Sequence, residues 1–165
     1  ALQAGLAIIP GPLLVPITSS LLTGRLIERF GPASAITAGI LLVILGFCLW
    51  ASRMSLAPDT LLIIAGMVMN GIGVGLIFPT LMGTGTQALP SSAFATGSAM
   101  INMLRQAAIA IGVALFVVII GSPGDASSRL EAFQRGWWVM AAITALTLVP
   151  TFRLLRAARP IAAST

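Results

Sequence analysis

The sequence predicts an all-α integral membrane protein with five transmembrane helices. Three observations carry that prediction: 58% of the 165 residues are hydrophobic, only 8% are charged, and the charges collect between five long apolar runs. A soluble fold carries roughly 25% charge, and so few charges could not cover its outside, so lipid must do so. Each run approaches the roughly 20 residues needed to cross a hydrocarbon core of about 30 Å.

The first run, Gly5 to Thr23, contains Pro10, Pro12 and Pro16. Each removes a backbone donor and tends to bend a helix, and bent helices suit a protein that encloses a cavity. The second run, Ala33 to Ala51, holds Cys48, the sole cysteine, so no disulfide can form within the chain. The third, Leu61 to Gly83, carries Asn70, Gly71, Gly75 and Pro79. Gly71 and Gly75 stand one helical turn apart, a spacing that lets two backbones approach closely, while Pro79 is expected to kink the helix. No strand precedes these glycines and no acidic residue follows at the required distance, so they do not make a dinucleotide loop. The fourth run, Ser98 to Ile120, contains Arg105 between Asn102 and Gln106, with Ala108 and Gly112 as a close-packing pair. The fifth, Trp137 to Phe152, is short unless Gly136 or Arg153 joins it, and residues 153–165 form a tail.

The connections give an orientation. Arg25 and Arg29 follow the first run, and Arg153, Arg156 and Arg159 follow the last. With five spans these two regions share a side, which the positive-inside rule makes cytoplasmic, so the chain begins outside. The opposite connections hold Arg53 with Asp59, and Asp125, Arg129, Glu131 and Arg135, whose charges largely compensate. Thr84 to Thr96 is uncharged. Trp50, Trp137 and Trp138 fall near the expected outer ends, where indoles prefer the interface. The first connection, Gly24 to Pro32, reads as a charged turn bracketed by glycines, able to join neighbouring helices through Glu28 and its arginines.

Arg105 is the one charge deep in an apolar run. An arginine at the centre of a span costs about 2.5 to 3.5 kcal/mol, so it is expected to face a bundle interior or aqueous path with a partner. Asn102, Arg105 and Gln106 share one helix side, and with Asn70 they are the candidate residues of a cavity. The competing readings make Arg105 a structural pin bonded to backbone carbonyls, or a side chain that snorkels to the interface. With no histidine and one cysteine, neither a His/Cys zinc site nor a His-based triad can be built. No nucleophile or acid–base pair lies within the membrane, so no enzymatic activity, metal or cofactor is expected. The expected surroundings are a lipid bilayer, with no nucleic-acid partner. No carboxylate falls inside any of the five runs, Asp59 lying only at an edge. The chain opens Ala1-Leu2-Gln3 without a methionine or a basic leader and reads as a piece of something longer.

Two stretches resemble a known family. Gly24-Arg25-Leu26-Ile27-Glu28-Arg29-Phe30-Gly31 resembles the inter-helix motif of the major facilitator superfamily, with its glycine, acid, arginine and second glycine. The run from Leu89-Pro90-Ser91 through Asn102-Met103-Leu104-Arg105-Gln106, followed by Ala110-Ile111-Gly112-Val113-Ala114, is similar to the penultimate-helix signature of the fourteen-helix drug/proton antiporters. The resemblance implies the last five helices of a C-terminal six-helix domain, in the inner or plasma membrane. It implies export of hydrophobic, often cationic molecules against protons, by rocking this domain against an N-terminal domain not present here. Glu28 stands where the family usually has aspartate, and Pro32-Ala33 follow where basic residues often continue, which implies a weaker loop lock. A small membrane scaffold or assembly protein without transport activity would share this composition, but would have no need of both motifs.

Overall fold

A computed structural model describes residues 9–57, 59–87 and 89–158; the expected start of the first helix, Gly5 to Ile8, and residues 159–165 of the tail lie outside the described residues. The chain is an all-α membrane protein, with no strand among the described residues. In order, the elements are α1 (Pro10–Thr18), a π turn (Ser19–Thr23), α2 (Gly24–Phe30), α3 (Pro32–Arg53), α4 (Thr60–Gln87), a 3₁₀ turn (Ser91–Ala93), α5 (Phe94–Ile120), α6 (Ala126–Leu146) and α7 (Leu148–Ala158). Pro32–Arg53, Thr60–Gln87 and Ser91–Ile120 are each long and apolar enough to cross a membrane as one helix. Over its described part the expected first span is helical in two abutting pieces, Pro10–Thr18 and Ser19–Thr23, that run on into Gly24–Phe30, and the expected fifth span falls in two helices.

The charged turn expected from Gly24 to Pro32 is instead helix up to Phe30, and the reversal is compressed into Gly31. Leu26, Glu28 and Arg29 are good helix formers, and one glycine at position 24 is too weak a signal to end the helix. Gly31 takes φ 82°, donates its N–H to the Ile27 carbonyl at 2.8 Å, and hands over to Pro32 at the first turn of α3. Glycine after a helix and proline at the start of the next is the asymmetry that helix ends favour.

The helix at the expected fifth span also starts earlier than expected. Asp125 caps α6 through a reciprocal capping box with Ser128, so Arg129, Glu131 and Arg135 are helical rather than part of a loop. Hydrogen bonds from Ser127 and then Ser128 hold the Asp125 carboxyl well below the usual carboxylate range. The span breaks at Thr147. Pro150 offers no N–H to Leu146, and its ring crowds that carbonyl, so α6 stops at Leu146 and α7 restarts at Leu148. By contrast, α4 runs through Pro79 without interruption.

The core lies along α4, with α1 on one side and α3 on the other. A Cβ on Gly73 would sit 2.7 Å from the Gly39 carbonyl oxygen, and one on Gly39 would sit 2.7 Å from that of Gly73. On the other side, a Cβ on Gly71 would lie 2.5 Å from the Gly11 oxygen, and one on Gly75 would lie 2.8 Å from that of Val15. The pair Gly71/Gly75 therefore seats α1 at backbone contact distance, as its spacing predicts, and Gly73 opens a second close face toward α3. Helix α6 packs on α3, where Gln134 Nε2 donates to the Met54 carbonyl at 2.8 Å. Trp50 stands in the last turn of α3, and Trp137, expected at a helix end, meets it at 4.8 Å between rings inside the α3–α6 contact. The earlier start of α6 moves Trp137 to mid-helix; only Trp138 is exposed. Helix α5 leans on α6 and on the later part of α4, and none of its residues is buried.

Candidate functional site

Helix α5 places Arg105 well along its length. The helix begins at Phe94, not Ser98, so Arg105 stands roughly 16 Å of helical rise from its start. That is deeper than the sequence implied and less favourable for snorkelling. Its guanidinium donates through Nη2 to Asn102 Oδ1 at 2.9 Å and through Nε to the same oxygen at 3.3 Å. Its Cζ lies 5.0 Å from the Phe78 ring centroid on α4. An amide one turn back and an aromatic face on the next helix thus hold the charge without a carboxylate. The two bonds engage two of the five N–H groups a guanidinium carries.

Beyond Arg105 runs a groove of about 520 Å³ between α5 and α6. Ala108, Gly112, Val113 and Phe116 line it from α5, Trp137 and Met140 from α6, and Arg105 is the sole charged residue along it. Gly112 was expected to pack a neighbouring helix, but nothing lies within 4 Å of where its Cβ would be. It widens the groove instead. Phe116 closes one end by fitting against Gly136, where a Cβ would lie 2.8 Å from the ring. Phe116, Trp137, Phe47 and Trp50 continue as a chain of ring contacts, 5.0 Å between the first pair and 5.6 Å from Trp137 to Phe47. The indole N–H groups of Trp50 and Trp137 are buried without an acceptor. Van der Waals packing of the rings must offset the roughly 1–3 kcal/mol of each unmade hydrogen bond.

The other candidates are distributed differently. Asn102 and Gln106 are exposed on α5, and Arg105 is half-buried. Asn70 does not join them. It donates to the Gly66 carbonyl at 2.9 Å, and its amide occupies the space that the missing side chain of Gly46 leaves on α3. Asn70 is therefore a helix-packing residue in the α3–α4 contact. Arg25, Glu28 and Arg29 are exposed on α2, with the Arg29 guanidinium 5.5 Å from the Phe30 ring. Nothing lies within 4 Å of a Cβ added to Gly24 or Gly31. No group of three or more metal-ligating side chains occurs among the described residues.

Phe78 and Trp137 were not singled out as site residues from the sequence. Phe78 adjoins Pro79 in a uniformly apolar helix, and nothing in a one-dimensional pattern shows that its ring meets Arg105. Trp137 appeared to mark an interface because the run of charges ahead of it resembled a loop.

The family model described as Major Facilitator Superfamily matches residues 1–164. The lincomycin resistance protein LmrB of Listeria innocua is 28% identical over 122 residues, covering 74% of this chain and 26% of that protein. The multidrug resistance protein B homolog of Mycobacterium tuberculosis is 31% identical over 120 residues, covering 72% of this chain and 22% of that protein. The uncharacterized MFS-type transporter YcnB of Bacillus subtilis is 27% identical over 169 residues, covering 97% and 35% respectively. No solved structure matches. The chain spans between about a fifth and a third of the length of these relatives.

Proposed function

The chain belongs to the major facilitator superfamily, and we propose that it is part of a proton-coupled secondary transporter exporting drugs or other small hydrophobic molecules by alternating access. It is a multi-pass membrane protein, and its named relatives are resistance proteins and transporters. The observation that carries the proposal is the character of α5. It is a long apolar helix with no buried residue, and it holds one arginine at the mouth of an otherwise apolar groove.

In this reading the five spans are most of a C-terminal six-helix domain. An N-terminal domain supplies the other wall, and the substrate path runs along α5. Arg105, Asn102 and Gln106 provide its polar contacts, and Gly112 leaves room for the substrate's apolar body. Protons bind elsewhere, because Glu28, Asp59, Asp125 and Glu131 all stand at or near helix ends. The protein sits in the plasma membrane. Arg25, Arg29 and the arginines of the tail face the cytoplasm, so the first span begins outside.

The test is efflux from a drug-sensitive host expressing the longest open reading frame that contains this chain. Losing a charged hydrogen bond to substrate is worth about 1.5–3 kcal/mol, so Arg105→Ala should lower efflux roughly ten- to a hundredfold at unchanged protein level. Full efflux by that variant would remove Arg105 from the path.

A further inference from the structure

We propose that Thr23 is a two-position latch between the first and third spans. Its one hydroxyl proton moves between the Thr18 carbonyl of its own helix and the Gly75 carbonyl across the helix contact. The need for it begins at Pro79. Proline has no N–H, so the carbonyl four residues earlier, that of Gly75, receives no intrahelical bond. Buried and bare, such a carbonyl is costly, and it must be met from outside the helix.

Thr23 meets it. Its Oγ1 lies 3.1 Å from the Gly75 oxygen and 3.2 Å from the Thr18 oxygen, and the residue is only 3% exposed. A hydroxyl has a single proton to donate, so it can point squarely at only one of two acceptors that lie at nearly equal distance, and sharing it weakens both bonds. The bond to Gly75 is also the sole side-chain hydrogen bond joining the first span to α4 among the described residues.

The surroundings permit movement. Thr23 ends the π turn Ser19–Thr23, a wide and rarely occupied geometry that concentrates at functional sites. Returning that turn to α geometry would shift everything beyond it by one helical position, roughly 1.5 Å and 100°. What lies beyond is α2, with Arg25, Glu28 and Arg29. The contact between α1 and α4 runs over Gly11, Gly71 and Gly75, where the backbones approach closely, and the flexible Met67 side chain is the long group that reaches into it, its sulfur 3.2 Å from where a Cβ on Gly11 would lie. With the proton on Gly75, the end of the π turn is hydrogen-bonded to α4; with the proton on Thr18, that junction is van der Waals contact alone and α2 is held by its packing on α3. The latch is independent of whether Arg105 touches substrate.

The test is hydrogen exchange, followed by mass spectrometry, on the intact protein in lipid nanodiscs. Thr23→Val keeps the shape and removes the donor, Thr23→Ser keeps the donor, and Pro79→Ala gives Gly75 a backbone partner. Thr23→Val should speed exchange of residues 24–30 about tenfold, the scale of one hydrogen bond, while Thr23→Ser leaves it unchanged. In the Pro79→Ala background, Thr23→Val should alter it by less than about twofold, because the carbonyl no longer needs the hydroxyl. Equal acceleration in both backgrounds, or none in the parent, overturns the proposal. Should Thr23→Val not fold, Pro79→Ala decides alone. The hydroxyl then stays on Thr18, and exchange within residues 19–23 should slow several-fold; unchanged exchange there overturns the latch.

Discussion

The α3–α4 contact and helix α5 are built from the same apolar alphabet and have opposite fates. At the contact, Gly39 and Gly73 bring backbones together and Val43, Leu76 and Thr80 are buried. On α5, Met103 is 64% exposed, Ile111 68% and Val118 77%, and Arg105 is the helix's one charged residue. Apolarity puts both regions in the membrane, and residue size then separates them. Small residues at facing positions make a fixed scaffold, whereas large side chains and a lone arginine make a surface awaiting contact.

Paired substitutions sharpen that difference. Gly73→Val puts a side chain against the Gly39 carbonyl and Val43, and it should destabilise the protein by about 3 kcal/mol, the upper part of the overpacking range. Gly112→Val enters open space and should change stability by no more than about 0.5 kcal/mol, while narrowing the groove and lowering efflux of bulky substrates. Unfolding by denaturing detergent, read from helical content, checks both. Equal losses would erase the distinction between seam and surface.

Gln134→Ala removes the donor to the Met54 carbonyl that ties α6 to α3 and should cost about 1 kcal/mol in the same assay. The smallest effect concerns pH. Asp125 has its carboxyl held below the usual range by Ser127 and Ser128, so the folded state favours its charged form. That contribution is present above the ordinary aspartate value of about 3.9 and is lost as pH falls below it. Protection at residues 126–131, taken as the exchange rate relative to the intrinsic rate at each pH, should therefore fall on acidification, and less so in Ser127→Ala. A start to α6 that is insensitive to acid would show that the cap contributes nothing.

How much of this was legible depends on what each feature requires. The second, third and fourth runs were, because about 20 apolar residues in a row admit few alternatives to a membrane-crossing helix. Helix ends were not: Arg129, Glu131 and Arg135 are charged yet form helix well, so charge density does not mark a loop here, and Asp125 with Ser128 is the signal that marks the helix start. The pairing of Asn102 with Arg105 follows from their three-residue spacing. The direction in which Asn70 and Gly112 point did not follow, since a helix apolar all round has no stripe to orient it. Phe78 beneath Arg105 and Thr23 beside Gly75 are tertiary contacts, and only the missing N–H of Pro79 hinted at the second.

The most direct test of the division between scaffold and working surface is cysteine accessibility in the intact protein, in a Cys48→Ser background. Gly112→Cys on α5 and Val43→Cys on α3 are treated in parallel with a charged, membrane-impermeant maleimide. The account predicts that Gly112→Cys is labelled and is protected by a transported substrate, while Val43→Cys, at a position 7% exposed, stays unreactive. A Gly112→Cys that is as inert as Val43→Cys would contradict it.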